Sequence, residues 1–252
     1  MRWFISLLMA LATPAASQDR IPSHCIALSQ SAPGMEYVQL ASYAEPVAAD
    51  TVRITYVDHA MFLIQSAGGS SAMTDFTGYF GNVEFTPDVI TMNNAHSTHW
   101  TAFPDPAIAH ALQGWGNAEG PREHYLDLGD MLVRNVHTDT RRGETFLSEN
   151  GNSIFVFEAA GLCIGHLGHL HHEPTDRQYA ALGRMDIVMA AVDGGLTLDH
   201  ETLVRVLDRL RSSVVIPMHW SSIGASRYQF GVCVNTCNSF NTEYFINTIY
   251  HQ

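Results

Sequence analysis

The sequence predicts an α/β fold on three observations. In the run 186–192 every residue after Asp186 is apolar, and 214–218 is largely apolar, which is typical of buried strands. The run 52–57 alternates between apolar and polar residues, as a strand with one buried face does. Between 197 and 211, apolar residues recur with the period of about 3.6 that marks a helix packed against a sheet. With 46% hydrophobic residues in a chain of 252, the composition supports a substantial core.

The first seventeen residues have the features of a secretory signal peptide. Arg2 precedes an apolar run at 3–12, and small residues at 14–17 precede the expected cleavage site. An uncleaved membrane anchor is the alternative, but the run is too short to span a bilayer and no later segment approaches that length. We therefore expect cleavage after Ala16 or Ser17 and a periplasmic or secreted protein. The loss of the single charge of Arg2 would take the formal net charge from -12 to -13.

The mature chain is expected to form an N-terminal lead-in and one domain. Residues 18–50 are polar and contain Pro22, Pro33 and Pro46, as an irregular segment packed over a domain does. Residues 51–252 carry the regular patterns and no low-complexity linker, so we assign them to a single domain, although length alone also fits two small ones.

The elements of this domain follow from local patterns. A β-meander is predicted from 52–57, 61–64 and 72–75, and helical spacing with Pro106 in the first turn predicts a helix at 106–113. Asp199 is the expected N-cap of the helix at 197–211. The other predicted strands are 87–92, 125–126, 131–136 ending at His137, 153–158, 162–164, 186–192 and 214–218.

Histidines follow four of the predicted strands. They lie in the loop 94–99, at His137, in the run 166–172 and at His219. A single histidine at a strand end is usually structural, but four such sites at one edge of a sheet are the arrangement that an open metal site requires. The sequence therefore predicts at least one bound metal ion.

Charge and cysteine content restrict the partners. With 13 basic and 25 acidic residues, the chain is unsuited to nucleic acid or to an anionic membrane surface, so we expect a small-molecule substrate. Cys163 lies inside a strand pattern and is expected to be a buried thiol. Cys233 and Cys237 either pair with each other or one of them pairs with Cys25.

Seven segments also occur in an order and spacing that one family shares. They are TYVDHAMFLI at 55–64, Asp75, the loop 94–99, His137, HLGHL at 166–170, VDGG at 192–195 and IPMHW at 216–220. Together they resemble the metallo-β-lactamase superfamily, and within it the branch of metal-dependent hydrolases that includes the ascorbate-6-phosphate lactonases. The resemblance implies an αββα sandwich of two mixed β-sheets with helices outside and a metal site at one edge between the sheets.

Carried over by position, the resemblance assigns ligands and reveals departures. The family's H-x-H-x-D-H loop falls on 94–99, where Asn94 replaces its first histidine and Thr98 its aspartate. His169 stands where the family's bridging aspartate belongs. The remaining histidine ligands of the family correspond to His96, His99, His137 and His219.

The loss of every carboxylate ligand predicts one ion rather than two. Two cations at close range need negative charge between them, which a neutral imidazole does not supply. We expect one ion held by three or four histidines, from His96, His99, His137, His169 and His219. An all-imidazole set favours zinc, with copper, iron or nickel as alternatives.

Several other residues are expected near this ion. Asp75 is predicted to accept a proton from a ligand imidazole and to orient it. Thr98 cannot act as a general base in place of a carboxylate, which leaves Asp58, His59, Asp193 or a spare histidine. Residues expected beside the ligands rather than on the ion are Asn94, Thr98 and His166.

Two functions remain open at this stage. The intact fold motifs favour an exported hydrolase that uses metal-activated water on an ester, lactone, amide or phosphoester. The replacements at Asn94, Thr98 and His169 favour a divergent member instead, which would be a redox or lyase enzyme or a metal-binding protein without turnover.

Overall fold

A computed structural model describes residues 43–81, 83–117, 119–142, 146–219 and 229–233, without the side chains of 142, 146 and 229–233. The predicted signal peptide and most of the lead-in lie outside these residues, as do Cys25 and Cys237, so these features stay predictions. Cys163 is a free, partly buried thiol.

One mixed sheet contains most of the N-terminal half of the domain. Its strands are β1 (Thr51–Asp58), β2 (Met61–Ser66), β3 (Ser71–Met73), β4 (Val89–Met92), β5 (His110–Gln113) and β12 (Gln229–Cys233). They lie in the order β12-β1-β2-β3-β4-β5, antiparallel from β12 to β3 and parallel from β3 to β5. The predicted meander at the start of the domain is confirmed.

A second mixed sheet contains the C-terminal half. Its strands are β6 (Tyr125–Asp127), β7 (Met131–Arg142), β8 (Phe146–Ala159), β9 (Leu162–His166), β10 (Ile187–Ala191) and β11 (Val214–Met218). They lie in the order β11-β10-β9-β8-β7-β6, with β6 to β9 antiparallel and β9 to β11 parallel. Strands β10 and β11 confirm the two apolar runs at 186–192 and 214–218.

The two sheets pack face to face around a buried core. Ile54, Phe62 and Ile64 of the first sheet belong to one cluster with Phe155 and Phe157 of the second, and all five are fully buried. Because alternate residues of a strand point to the same side, these positions form the inner faces. This packing confirms the α+β sandwich that the sequence predicts.

Two helices of the described chain lie on the outer face of the second sheet. Helix α1 (Asp176–Leu182) starts at a capping box of Thr175 and Gln178, and α2 (His200–Leu210) starts at Asp199, which confirms the predicted N-cap. Their buried residues share a cluster with Val188 of β10. On the outer face of the first sheet, loop residues such as Phe76 cover β2 within the described ranges. Neither helix is long and apolar enough to cross a membrane.

Two predicted elements are wrong in ways that bear on the site. Residues 110–113 form β5 instead of the end of a helix, because parallel pairing with β4 satisfies their backbone and outweighs the helical spacing. Strand β7 continues beyond residue 136 to Arg142, since the long partner strand β8 offers pairing along its whole length. His137 is therefore inside a strand, opposite Ser153, and not at its end.

Candidate metal centre

The carboxyl ends of several strands meet at one edge of the sandwich. Five histidines come together there, from the turn after β1, the loop after β4, the loop after β9 and the residue after β11: His59, His96, His99, His169 and His219. They form two overlapping groups, His59–His99–His219 and His96–His99–His169, and the ligand atoms of each group lie within 4.8 Å of one another. His99 belongs to both groups.

His99 is held by a buried carboxylate. Its Nδ1–H donates to Asp75 Oδ2 at 2.5 Å, and both side chains are fully buried. The other oxygen of Asp75 accepts the backbone N–H of Asn93 at 2.8 Å, so the carboxylate itself is fixed. Burial raises the pKa of Asp75 to about 6, while burial and the neighbouring His219 and His96 lower the pKa of His99 to about 3.

His219 is held by a second carboxylate in the same way. Its Nδ1 lies 2.7 Å from Asp193 Oδ2. Asp193 Oδ1 accepts bonds from the amides of 195–197 and from the hydroxyl of Thr197, which close the turn after β10. Burial opposes ionisation here, but the bonds from His219 and Thr197 hold the pKa of Asp193 well below its usual range.

The remaining ring nitrogen of His99 and of His219 has no hydrogen-bond partner in the part of the chain that the structure describes. His99 Nε2 and His219 Nε2 are buried, and neither has a hydrogen-bond partner among the described residues. Burying an unpaired imidazole nitrogen is unfavourable unless something binds it. A carboxylate on Nδ1 and a free Nε2 are the arrangement of metal-ligating histidines, in which the carboxylate fixes tautomer and orientation. The site therefore fits a transition-metal ion.

The backbone at this edge is strained. His59, Asp75 and His219 have φ angles of 48°, 42° and 61°, in the left-handed region that residues other than glycine seldom adopt. The backbone N–H of His219 also donates to the carbonyl of His59, which joins the two sheets at the site. Strain of this kind persists where the surrounding structure imposes it, and it clusters at functional sites.

His59 completes the more buried of the two groups. Its ring stacks on that of His219 with centroids 4.1 Å apart and planes within 4°. Lone pairs in parallel planes do not meet, so an ion shared by both rings requires one ring to tilt. No described residue hydrogen-bonds the His59 ring, so a tilt would break no hydrogen bond within the described part of the chain. Burial and the neighbours His219 and His99 lower its pKa to about 4, which keeps it neutral and able to bind a metal.

The loop after β4 shows how the replaced family residues are used. Thr98, at the position of the family's aspartate, has its Oγ1 3.0 Å from Nδ1 of the exposed His96. Asn94 Nδ2 donates to the carbonyl of Gly151 and ties the loop to β8. Neither side chain belongs to the two histidine groups, and their place beside the ion stays a prediction.

The other predicted site residues have different surroundings. His166 is fully buried, with Nε2 bound to the carbonyl of Ala60 and Nδ1 near Asn93. His137 lies by Ser153 and Asn135 and belongs to neither group. Asp58 is exposed at the end of β1.

His169 is half-buried and contacts a histidine that the sequence did not single out as a functional residue. Its Nδ1 lies 2.7 Å from Nε2 of His171, whose Nδ1 accepts the backbone N–H of Arg141 at 2.6 Å. Burial and the neighbouring His99 and His171 lower the pKa of His169 to about 2. Burial and Arg141 lower the pKa of His171 to about 4. The repeated histidines of 166–172 were the available signal, but sequence does not reveal the Arg141 contact.

A cavity of about 240 Å³ adjoins the second group. Its lining includes His96, His169 and His171, together with Trp115, Arg141 and Glu149. The cavity combines an apolar ring with charged and neutral polar groups, which suits a small polar ligand.

Comparisons with known proteins agree with this architecture. Residues 53–219 match the family model described as "Beta-lactamase superfamily domain". A Methanospirillum hungatei protein named as a metal-dependent hydrolase is 23% identical over 212 residues, covering 76% of this chain and 94% of its own. The structure of a proposed Zn-dependent hydrolase of the metallo-β-lactamase superfamily from Thermotoga maritima has 25% identity and a TM-score of 0.50, covering 69% of this chain and 79% of its own. A proposed metal-dependent hydrolase from Parabacteroides distasonis has a TM-score of 0.52 at 14% identity, covering 69% and 85%, which shows the fold alone.

Proposed function

This chain belongs to the metallo-β-lactamase superfamily, and from that premise we propose that it is a metal-dependent hydrolase with a single ion held by His59, His99 and His219. The names of its relatives support the reaction class. The ligand set is our own proposal, and it differs from the set that the family resemblance implies by including His59 and leaving out His96 and His137.

One observation carries the proposal of a single ion. Both histidine groups depend on His99, whose Nδ1 is bound by Asp75, so Nε2 is its one free nitrogen. A neutral imidazole nitrogen has one lone pair and binds one ion. Two ions would therefore compete for His99, and no carboxylate belongs to either group to bridge them.

The proposed set follows from the state of each ring. His99 and His219 have buried, unpaired Nε2 atoms, and His59 lies against both rings. A zinc ion bound there would act as a Lewis acid and activate water for hydrolysis. Copper, iron or nickel suits the same donors.

The protein's own contribution is to orient these ligands and to place the substrate. Asp75 and Asp193 fix the tautomers of His99 and His219. Because its oxygens already bind His219 and the 195–197 turn, Asp193 has a positioning role in this proposal instead of that of a general base. The cavity beside His96 and His169 is the proposed substrate pocket for a small ester, lactone, amide or phosphoester.

The test combines metal content with turnover. The full chain, purified without a histidine tag or added metal, is analysed by inductively coupled plasma mass spectrometry and assayed on ester, lactone and phosphodiester substrates. We expect about one ion per chain and hydrolysis that disappears after chelation and returns with Zn²⁺. Two ions per chain would contradict the shared-ligand argument, and an ion without any hydrolysis would contradict the reaction class.

A redox or lyase function is the second candidate, because every residue of the two groups is a histidine. Imidazole donors suit iron and copper as well as zinc. A protein that is coloured as purified, with iron or copper in place of zinc and no hydrolysis, would favour this candidate.

A further inference from the structure

We propose that His169 does not bind the ion but donates a hydrogen bond from Nε2 to the oxygen atom of the substrate on which negative charge develops. This inference rests on the proposed function, since it assigns a role within the same site. It is carried by the contacts of His169, His171 and Arg141, which together determine the position of one proton.

A backbone donor fixes the tautomer of His171. The backbone N–H of Arg141 has one hydrogen, and it points at His171 Nδ1 over 2.6 Å. His171 Nδ1 must therefore be an unprotonated acceptor, so the ring carries its proton on Nε2. That proton faces His169 Nδ1 at 2.7 Å.

His171 in turn fixes the tautomer of His169. Because its Nδ1 accepts from His171, the neutral ring carries its own proton on Nε2. A protonated nitrogen has no lone pair for a metal. Its two neighbours in the site have the opposite arrangement, since the Nδ1 atoms of His99 and His219 donate to Asp75 and Asp193 and leave Nε2 unprotonated.

The backbone holds His169 firmly in this position. Its N–H donates to the side chain of Asn152 at 2.8 Å, and Asn152 is itself fully buried. The preceding Gly168 has φ +60 and lies so close to Asn152 and Asn93 that a Cβ there would come within 2.6 Å of both. The backbone that carries His169 is therefore fixed at this point of the loop.

The position of the ring suits a donor to substrate. The His169 ring lies 4.9 Å from that of His99 and lines the cavity proposed for the substrate. No described residue accepts a hydrogen bond from its Nε2. A fixed donor next to a Lewis acid stabilises the charge that develops on a carbonyl or phosphoryl oxygen during hydrolysis. His171 has its two ring nitrogens directed at His169 and at the Arg141 amide, and we assign it a positioning role.

The decisive measurement is the protonation of each ring nitrogen. Long-range ¹H–¹⁵N correlation spectra of the full chain loaded with Zn²⁺ distinguish protonated, unprotonated and metal-bound nitrogens. We expect His169 to be protonated on Nε2 and unprotonated on Nδ1, and His171→Leu to change the His169 pattern while His172→Leu, at an exposed neighbour, leaves it unchanged. A metal-bound His169 nitrogen, or a proton on Nδ1, would overturn the proposal.

Variants of His169 separate donation from ligation. His169→Gln keeps an N–H donor, whereas His169→Leu removes it. Both are expected to retain about one Zn²⁺, while kcat falls by about 100- to 1,000-fold in His169→Leu and much less in His169→Gln. Loss of the ion from His169→Leu, to the extent seen in His219→Ala, would also overturn the proposal. If the unaltered chain binds no ion, the proposed function fails, and the tautomer of His169 in the unloaded chain still decides whether the proton is where we infer it.

Discussion

The Nδ1 atom of His219 lies 2.7 Å from Oδ2 of Asp193, although the two residues follow different strands of the second sheet. Strands β10 and β11 run parallel and end at the same level, with Ala191 opposite Met218. Asp193 and His219, which lie just beyond those strand ends, therefore meet. His99 and Asp75 form the same kind of imidazole–carboxylate pair beside the first sheet. Each sheet contributes one oriented imidazole to the site.

Asp193→Asn is expected to weaken ion binding. Asparagine retains the size of the side chain but not its charge, and its amide can present an N–H to His219 Nδ1 in place of an acceptor. Loss of a carboxylate behind a ligand histidine typically lowers metal affinity by about 10- to 100-fold. Competition with a chromogenic chelator measures the change. Asp199→Asn is the matched control, since Asp199 caps α2 and asparagine caps a helix equally well. Equal affinities of both variants would contradict the role assigned to Asp193.

His59→Ala is expected to lose the ion, whereas His137→Ala is expected to retain it. His59 lies against both His99 and His219, while His137 contacts Ser153 and Asn135. Metal content after dialysis against a weak chelator compares the two variants directly. The opposite result would restore the ligand set that the family resemblance implies and would rule out the set proposed from the structure.

The stability of the unloaded protein is expected to fall as the pH decreases from about 7 to 4. His59, His99 and His171 have pKa values lowered to about 4, 3 and 4, so the folded chain stays unprotonated where the unfolded chain, with a histidine pKa of about 6.5, takes up protons. Each such histidine lowers the free energy of unfolding by at most about 1.4 kcal/mol per pH unit.

Asp75 acts in the opposite direction within that window. Its pKa is raised to about 6, so the folded chain holds a proton that the unfolded carboxylate releases, and this favours folding as the pH falls from 6 to 4. The three histidines outnumber it, and the net effect remains a loss. Urea unfolding of the full chain at pH 7, 6 and 5 checks the sign, and a constant or rising stability toward pH 5 would contradict it.

Gly168→Ala is expected to destabilise the protein more than Gly161→Ala. Both glycines have a positive φ, +60 and +74. Alanine at either position therefore costs about 1–2 kcal/mol in backbone conformation. A Cβ at Gly161 meets nothing within 4 Å, whereas at Gly168 it lies 2.5 Å from the Oδ1 of Asn152 that binds the His169 amide. Displacing that bond brings the expected cost at Gly168 to about 3 kcal/mol or more. Denaturant midpoints of the two variants compare the costs, and equal values would show that the loop relaxes freely.

The sequence was most informative where a residue directly follows a strand. His219 directly follows β11, Asp75 lies two residues after β3, and His99 lies in the loop after β4. The structure brings all three to one edge, because these strands end at the same edge of the sandwich. Amphipathic spacing likewise located α2 and its cap. In both cases the sequence signal lies within a few residues: a polar residue soon after a strand, or apolar residues at the period of a helix.

Long-range pairing explains what the sequence did not reveal. His137 looked like a strand-end residue, but β8 extends β7 past it. His59 looked like a candidate base, and only its positive φ and the bond from the His219 amide to its carbonyl place it against His219. Helical spacing at 106–113 was outweighed by a parallel partner strand. None of these causes is encoded within a few residues.

The contact between His59 and His219 has a consequence for folding as well as for chemistry. His59 follows the first strand of the domain and His219 follows β11, so an ion bound by both would cross-link two points that enclose most of the described chain. If the ion stays bound in the unfolded chain, it closes a large loop and lowers the conformational entropy of the unfolded state. If the ion binds the folded chain alone, its binding free energy stabilises the native state. The metal would then act as a reversible cross-link between the two halves of the sandwich. Its supply would determine how long the domain stays folded, as well as whether it is catalytically active.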